Sequence, residues 1–335
     1  MPLWDALRGL EVHVDDYALE RREQPTPSGW TRVTTTVVLR GAGEQGEGED
    51  VTYTPDDHDG FPAGAPLAGS WTLDGFSQSV GELELWREEP RMPASRDYRR
   101  WAFESAALDL GLRQAGRSLG ELVGRAYGPV RFVASTRADV EPYLMLNPQL
   151  EFKLDVEEDW DRERMQRLAA FDRVRVLDLK AYYRGTSVDL APDPALHRAV
   201  AEAFPTVVIE DPWLEDGCRE ALRGAEDRLS FDAPVHSVGD LDRLPLAPCW
   251  LNVKPSRFGT VQKLLECVDA CERRGIRMYG GGQYELGPGR RQIQRLASLF
   301  YADGPNDVAP SAYNEGGPRA GLPQSPLPPP VGVGF

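Results

Sequence analysis

The chain is poor in the residues that build soft-metal or disulfide-bonded proteins: 335 residues carry four cysteines and four histidines. Cys218, Cys249, Cys267 and Cys271 include no CxxC pair, and no nearby histidine completes a zinc set. They read as buried reduced thiols, with Cys267 and Cys271 four residues apart in a helical pattern. Positive charge is also short. Lys and Arg number 38 against 53 Asp and Glu, a net charge of −15, which leaves no basic patch for nucleic acid or an anionic membrane. No apolar run is long enough to span a bilayer and no signal-peptide pattern opens the chain, so the expected compartment is the cytoplasm. No GxGxxG follows an early strand, which removes the main sign of a dinucleotide-binding open sheet. No repeat longer than a strand–helix unit is evident.

What is present suits a large α/β protein. Apolar residues make up 41% of the chain and include eight Trp, enough for a sizeable core. Near the start, Leu10, Val12 and Val14 alternate with polar neighbours, and Val33, Thr35, Val37 and Leu39 share one face of a β-branched run. The Gly-, Asp- and Glu-rich stretch Gly41–Phe61 reads as a mobile loop. From Tyr98 to Val123 the period becomes helical, with Trp101, Ala102, Ser105, Leu108 and Leu112 on one face. Residues 1–125 are therefore expected to form an α+β unit. Beyond it, short apolar runs alternate with amphipathic helical stretches: Arg131–Ala134, Leu150–Leu154, Val174–Leu179, Thr206–Ile209, Leu229–Phe231, Cys249–Val253, Arg277–Tyr279 and a last one near Val308. Eight such units over residues 126–315 predict a closed (β/α) barrel. The Pro- and Gly-rich tail, residues 316–335, is expected to return towards the first domain.

Charge falls in unusual places on these strands. Barrel strands are buried on both faces, so an acid at a strand end is costly without a partner. Three successive strands end in one: Asp178, Glu210 and Asp232, all at the end of the barrel where active sites form. Acids brought together call for a cation. An all-oxygen set predicts Mg²⁺, with Mn²⁺ as the alternative. The next strand supplies Asn252 and Lys254 on one side of the chain. An earlier strand supplies Lys153, with Glu151 and Asp155 two residues away on either side. A lysine beside these acids is a candidate proton carrier.

These residues carry a resemblance. Glu210-Asp211-Pro212, Asp232-Ala233-Pro234, Asn252-Val253-Lys254-Pro255-Ser256-Arg257-Phe258-Gly259 and Gly280-Gly281-Gly282-Gln283-Tyr284-Glu285 resemble the enolase superfamily, in its mandelate racemase and muconate-lactonising branch. Trp101–Leu110 resembles the helix that links the capping domain of that family to its barrel. The resemblance implies an enzyme, with Asp178, Glu210 and Asp232 as metal ligands and Lys254 as a catalytic lysine. It implies abstraction of the proton α to the carboxylate of a small-molecule substrate, through a metal-stabilised enediolate.

The chain departs from that pattern at two positions. The second barrel strand of the family ends Lys-x-Lys, whereas Phe152-Lys153-Leu154-Asp155 leaves Asp155 in the place of the second lysine. A register shifted by two would instead make Lys153 the base. The third strand usually reads Asp-x-Asn, and here Asp178-Leu179-Lys180 puts Lys180 on the face of Asp178. Lys180 is expected to pair with Asp155 across neighbouring strands and to replace the missing ammonium. A single free lysine favours β-elimination, as in acid-sugar dehydratases, over cycloisomerase, racemase or epimerase, or succinylbenzoate-synthase-like chemistry. A non-catalytic metal-binding barrel is the reading from another class. Asn252, Tyr284, Glu285 and His58 are the candidate substrate-binding residues, with Glu285 placed to hold Lys254 and the loop of His58 placed over the barrel mouth. His236 is expected to line that mouth, and a homo-oligomer is expected.

Overall fold

In the computed structural model, residues 1–26, 29–61, 64–186 and 188–335 are described. β1 (Glu11–Val14) keeps the alternation of its sequence, with Val12 and Val14 buried. β2 (Asp16–Pro25), β3 (Thr31–Gly41) and β4 (Glu44–Asp50) form an antiparallel sheet with β3, the β-branched run, in the centre. β5 (Gly69–Thr72) pairs antiparallel with β1. α1 (Leu73–Glu82), α2 (Ser95–Gln114) and α3 (Leu119–Val123) complete the capping domain.

The expectation of a mobile loop from Gly41 to Phe61 is corrected: β4 occupies much of it, and Pro55–Gly60 is a 3₁₀ turn. The glycines mark a close approach. A Cβ at Gly48 would overlap Ala102 O and Ser105 Oγ, and one at Gly46 would overlap Ala106 O and Leu110 N, so both let β4 lie against the backbone of α2.

The second domain is a parallel sheet of seven strands in chain order: β6 (Ala134–Thr136), β7 (Phe152–Asp155), β8 (Val174–Asp178), β9 (Val208–Glu210), β10 (Leu229–Phe231), β11 (Trp250–Val253) and β12 (Arg277–Gly280). A helix follows each: α4 (Glu141–Leu146), α5 (Arg162–Ala170), α6 (Pro194–Ala203), α7 (Cys218–Ala221), α8 (Val238–Leu241), α9 (Val261–Arg274) and α10 (Pro288–Phe300). The expected eighth strand near Val308 is reduced among the described residues to two isolated parallel bridges, Phe132↔Asn306 and Gly281↔Asp307. They join the two sheet edges and curl the sheet towards closure. The Asn306 side chain serves the same join, accepting from Gly280 N at 2.6 Å and donating to Arg131 O at 2.8 Å.

α9 illustrates how these helices form. Val261, Leu264, Leu265, Val268 and Cys271 recur at three- and four-residue steps and are all buried, each large one contributing about 1.5–3 kcal/mol. Thr260 caps its start by accepting from Lys263 N at 3.0 Å, and Gly275 ends it in the left-handed region. Cys267 and Cys271 are both buried free thiols on its inner face. No described helix is long and apolar enough to cross a membrane.

Two buried charges seat the cap on the barrel. Arg32 donates to Val51 O and Thr52 O within the cap and to Gln283 O and Tyr284 O beyond β12. Glu49 accepts from Leu286 N, Gly287 N and Gly289 N at 2.7, 2.9 and 2.8 Å, where α10 begins. The tail runs back to the cap, where Phe335 N donates to Asp109 Oδ1 at 2.6 Å and Phe335 is buried against Trp101.

Candidate active site

Parallel pairing with little stagger brings the strand ends to one level. Asp155 pairs in register with Asp178, and Asp178 with Glu210. Asp178, Glu210 and Asp232 are each 0% exposed at the C-terminal end of the sheet. Lys153, 2% exposed, reaches them from β7, with Nζ 2.5 Å from Glu210 Oε1, 3.4 Å from Asp178 Oδ2 and 3.8 Å from Asp307 Oδ2. Lys254 reaches them from the end of β11, with Nζ 2.8 Å from Asp232 Oδ2. Lys180 Nζ bonds Asp178 and lies 3.0 Å from Asp155 Oδ1, so the strand-two acid and the strand-three lysine meet. Asp155 also pairs with Arg137 at 2.8 Å. Alternation along β7 thus turns Lys153 and Asp155 to the site. Glu151 lies outside it, held by Arg131 and Arg175.

Electrostatics follow from this packing. Burial works against the charge of Asp178, but Lys180 and Lys153 outweigh it and hold the carboxyl well below its usual range. Burial likewise opposes the charge of Asp232, and Arg257 and Lys254 bring it down to about 2. Glu210 goes the other way: burial, with Asp178 and Asp232 close by, pushes it up to about 7 although Lys153 opposes the shift. Lys153 and Lys254 are buried and Lys180 is largely so, which disfavours their ammonium form, yet the neighbouring acids raise each above its ordinary value.

Several expected substrate contacts are corrected. His58 is buried inside the cap, with Nδ1 2.9 Å from Thr35 Oγ1 and Nε2 2.9 Å from Thr52 O. Both ring nitrogens are spent there, so it offers nothing to a ligand. Glu285 turns to Arg290 of α10 at 3.0 Å rather than to Lys254. Tyr284, in a left-handed conformation, donates its hydroxyl to Asn314 O at 3.1 Å. Asn252 faces the acids, where Nδ2 donates to both oxygens of Glu210 at 3.2 Å. His236 bridges the domains instead of standing free: Nδ1 lies 3.1 Å from Asp97 Oδ2 and 2.9 Å from Arg257 O.

Other residues enter the site without having been singled out. Arg257 Nη2 lies 3.2 Å from Asp232 Oδ2, and its place in the motif around Lys254 was the available signal. Tyr279 donates to Glu210 Oε2 at 2.5 Å; it pairs in register with the inward-facing Asn252, which strand pairing alone would reveal. Tyr183 and Asp307 carried no local signal.

The donor set suits a hard divalent cation. Asp232 Oδ1 and Asn252 Oδ1 are buried acceptors with no hydrogen-bond partner, and Glu210 sits among like charges. No three His, Cys, Asp or Glu side chains among the described residues are already gathered into a coordinating cluster. Lys153 and Lys254 would compete with a cation for the same carboxylates. The residues therefore fit such an ion in donor chemistry, with the carboxylates having to draw together and the lysine heads to give way.

Residues 126–315 match the family model described as the C-terminal domain of DUF8230, a domain of unknown function, and residues 5–122 match the model of its N-terminal domain. The chain is 28% identical over 223 residues to an N-succinylamino acid racemase from an Amycolatopsis species, covering 63% of this chain and 60% of that relative. It is 30% identical over 114 residues to an o-succinylbenzoate synthase of Bacillus subtilis, covering 32% of this chain and 31% of that one. The aligned parts span less than two thirds of the length of either relative. Among solved structures it is similar to a member of the enolase superfamily from Listeria innocua, with a TM-score of 0.64, 18% identity and coverage of 90% of this chain and 86% of the other.

Proposed function

The chain belongs to the DUF8230 family and has the enolase-superfamily fold, and we propose that it removes the proton α to the carboxylate of a small-molecule substrate. One observation carries this reading. Lys153 on β7 and Lys254 just past β11 reach the buried acids Asp178, Glu210 and Asp232 from different strands of the sheet. A carboxylate drawn in between them meets positive charge on both sides and an amine within reach of its α-carbon. When bound, Mg²⁺ or Mn²⁺ would be held by Asp178, Glu210 and Asp232 and would supply Lewis-acid stabilisation of negative charge on the substrate.

The remaining work falls to the chain's own groups. Lys153 and Lys180 are fixed positive charges, preorganised by their ion pairs and largely screened from water, where charge is worth most. Asn252 orients Glu210 through two hydrogen bonds. Lys254 moves the proton at Nζ. Among the described residues Lys153 is held by three acids and Lys180 by two, whereas Lys254 pairs with Asp232 alone, so Lys254 is the lysine assigned to proton transfer. Elimination of a β-substituent from the face that loses the proton needs only one such group, so a dehydratase-like lyase is the preferred outcome. Racemisation or cycloisomerisation is the second reading. It is favoured by the position of Lys180, whose ammonium comes from the neighbouring strand to the side where the family carries its second lysine.

The test is α-proton exchange in D₂O, followed by ¹H NMR over a library of carboxylic acids with Mg²⁺ present. Exchange is expected with a subset of acids, and Lys254→Ala should lower it by about 10²–10⁴-fold. Loss of a β-substituent identifies the lyase, and deuterium incorporation with inversion identifies the alternative. Silence across the library would leave a non-catalytic barrel.

A further inference from the structure

Tyr183 belongs to none of the motifs that mark the site, yet it spans the barrel mouth. β8 ends at Asp178, and two residues later Lys180 takes a left-handed conformation with φ of 53°. A lysine holds such a conformation only where its surroundings impose it. Here Ala181 N donates to Asp211 O and Tyr183 N to Lys180 O, both at 3.0 Å, which seats the turn on the neighbouring strand end. The turn carries Tyr183 from the third barrel strand to the acid after the fifth. Its hydroxyl accepts from Arg257 Nη2 at 2.9 Å and donates to Asp232 Oδ2 at 3.3 Å. Its ring faces Lys180 Nζ at 5.3 Å.

The two oxygens of Asp232 are treated very differently. Oδ2 gathers Lys254 at 2.8 Å, Arg257 at 3.2 Å and Tyr183 at 3.3 Å. Oδ1, also buried, has no donor at all. Three groups on one oxygen set the rotation of the carboxylate and leave the other as a bare buried acceptor. Partners of this kind, which touch a ligand and not the ion, orient ligands and are worth about 10–100-fold in metal affinity.

We propose that Tyr183 is a positioning residue for the divalent cation: through its hydroxyl it holds Asp232 so that Oδ1 is turned towards the ion. The inference rests on the metal reading given above and adds to it a residue from a loop outside the ligand strands. Because the Tyr183–Asp232 bond is the longest of the three, the expected effect lies at the low end of that range.

Mn²⁺ binding without substrate, followed by EPR on the full-length chain, tests this. Tyr183→Phe keeps the ring, the turn and the cover over Lys180, and removes only the hydroxyl. It should weaken Mn²⁺ binding about tenfold with the urea-unfolding midpoint unchanged. Tyr182→Phe, one residue away, should bind Mn²⁺ like the wild type. Equal affinity in the wild type and Tyr183→Phe would overturn the role of the hydroxyl while leaving the metal site intact. Equal weakening by Tyr182→Phe and Tyr183→Phe would assign the effect to loop packing and overturn it as well. A wild type that binds no more Mn²⁺ than Asp178→Asn would sink the metal reading itself, and this inference with it.

Discussion

Adding one methyl group at Gly281 probes how tightly the proton-handling lysine is held. Gly280 pairs in register with Val253, and Gly281 N donates to Val253 O at 3.0 Å, so the backbone of β12 cannot back away from β11. A Cβ on Gly281 would stand 2.9 Å from Lys254 Cε and 3.0 Å from Asn252 Cγ, and would overlap Asn252 Oδ1 outright. Carbon atoms rest about 3.5–4.0 Å apart, so the lysine stem and the amide would both have to shift by roughly 0.5–1 Å. Overpacking of this kind costs about 1–3 kcal/mol of stability. Misplacing a reacting group by about 1 Å costs about 10²-fold in rate. Gly281→Ala is therefore expected to lower α-proton exchange about 100-fold, measured by NMR in D₂O, while urea unfolding shows a loss of about 1–3 kcal/mol. A variant that exchanges within about threefold of wild type would refute the reasoning, because Lys254 and Asn252 would then have room to yield without consequence.

Glu49→Ala strips the cap's carboxylate from three backbone N–H groups at the start of α10, each costing about 1–3 kcal/mol when left buried and unpaired. Water entry offsets part of this, so a loss of about 3 kcal/mol is expected by urea unfolding; a loss below about 1 kcal/mol would mean that the cap docks by other contacts. Glu151 accepts from Arg131 at 2.6 and 2.7 Å and from Arg175 at 2.6 Å. Burial opposes its charge, but the two guanidinium groups prevail and hold its pKa below the ordinary 4.5. A lowered carboxyl pKa stabilises the fold above 4.5 and loses that contribution as pH falls through the lowered value. Wild type should accordingly exceed Glu151→Gln by about 1–3 kcal/mol near neutrality, with the gap closing on acidification. A gap that is independent of pH would contradict the ion-pair assignment.

The barrel and its cap were legible in the sequence because a strand buried on both faces concentrates apolar residues into short runs, and a charge ending such a run stands out. Asp178, Glu210, Asp232 and Lys254 stood out in that way, whereas alternation put Glu151, Lys153 and Asp155 on one side and only the structure set Glu151 outside the site. Lys180 could be matched to Asp155 because the two strands are neighbours both in the chain and in space. Loops obey no such period. Glycine marks a flexible turn and a close backbone approach with the same letter, and only the packing of α2 on β4 separated the two in Gly46 and Gly48. His58, Tyr284 and Glu285 were placed in the site by their position beside strand ends, but Thr52, Asn314 and Arg290 claimed their polar atoms first. Tyr183 was invisible for the converse reason: its partner Asp232 lies 49 residues away, and a strained turn at Lys180 carries it there. Sequence alone marked Asp178, Glu210, Asp232 and Lys254 at or just past their strand ends, since that is a matter of burial along the chain. Which oxygen of each acid is tied and which is left open depends on side chains from distant loops, whose meeting is set only when the tertiary fold closes around them.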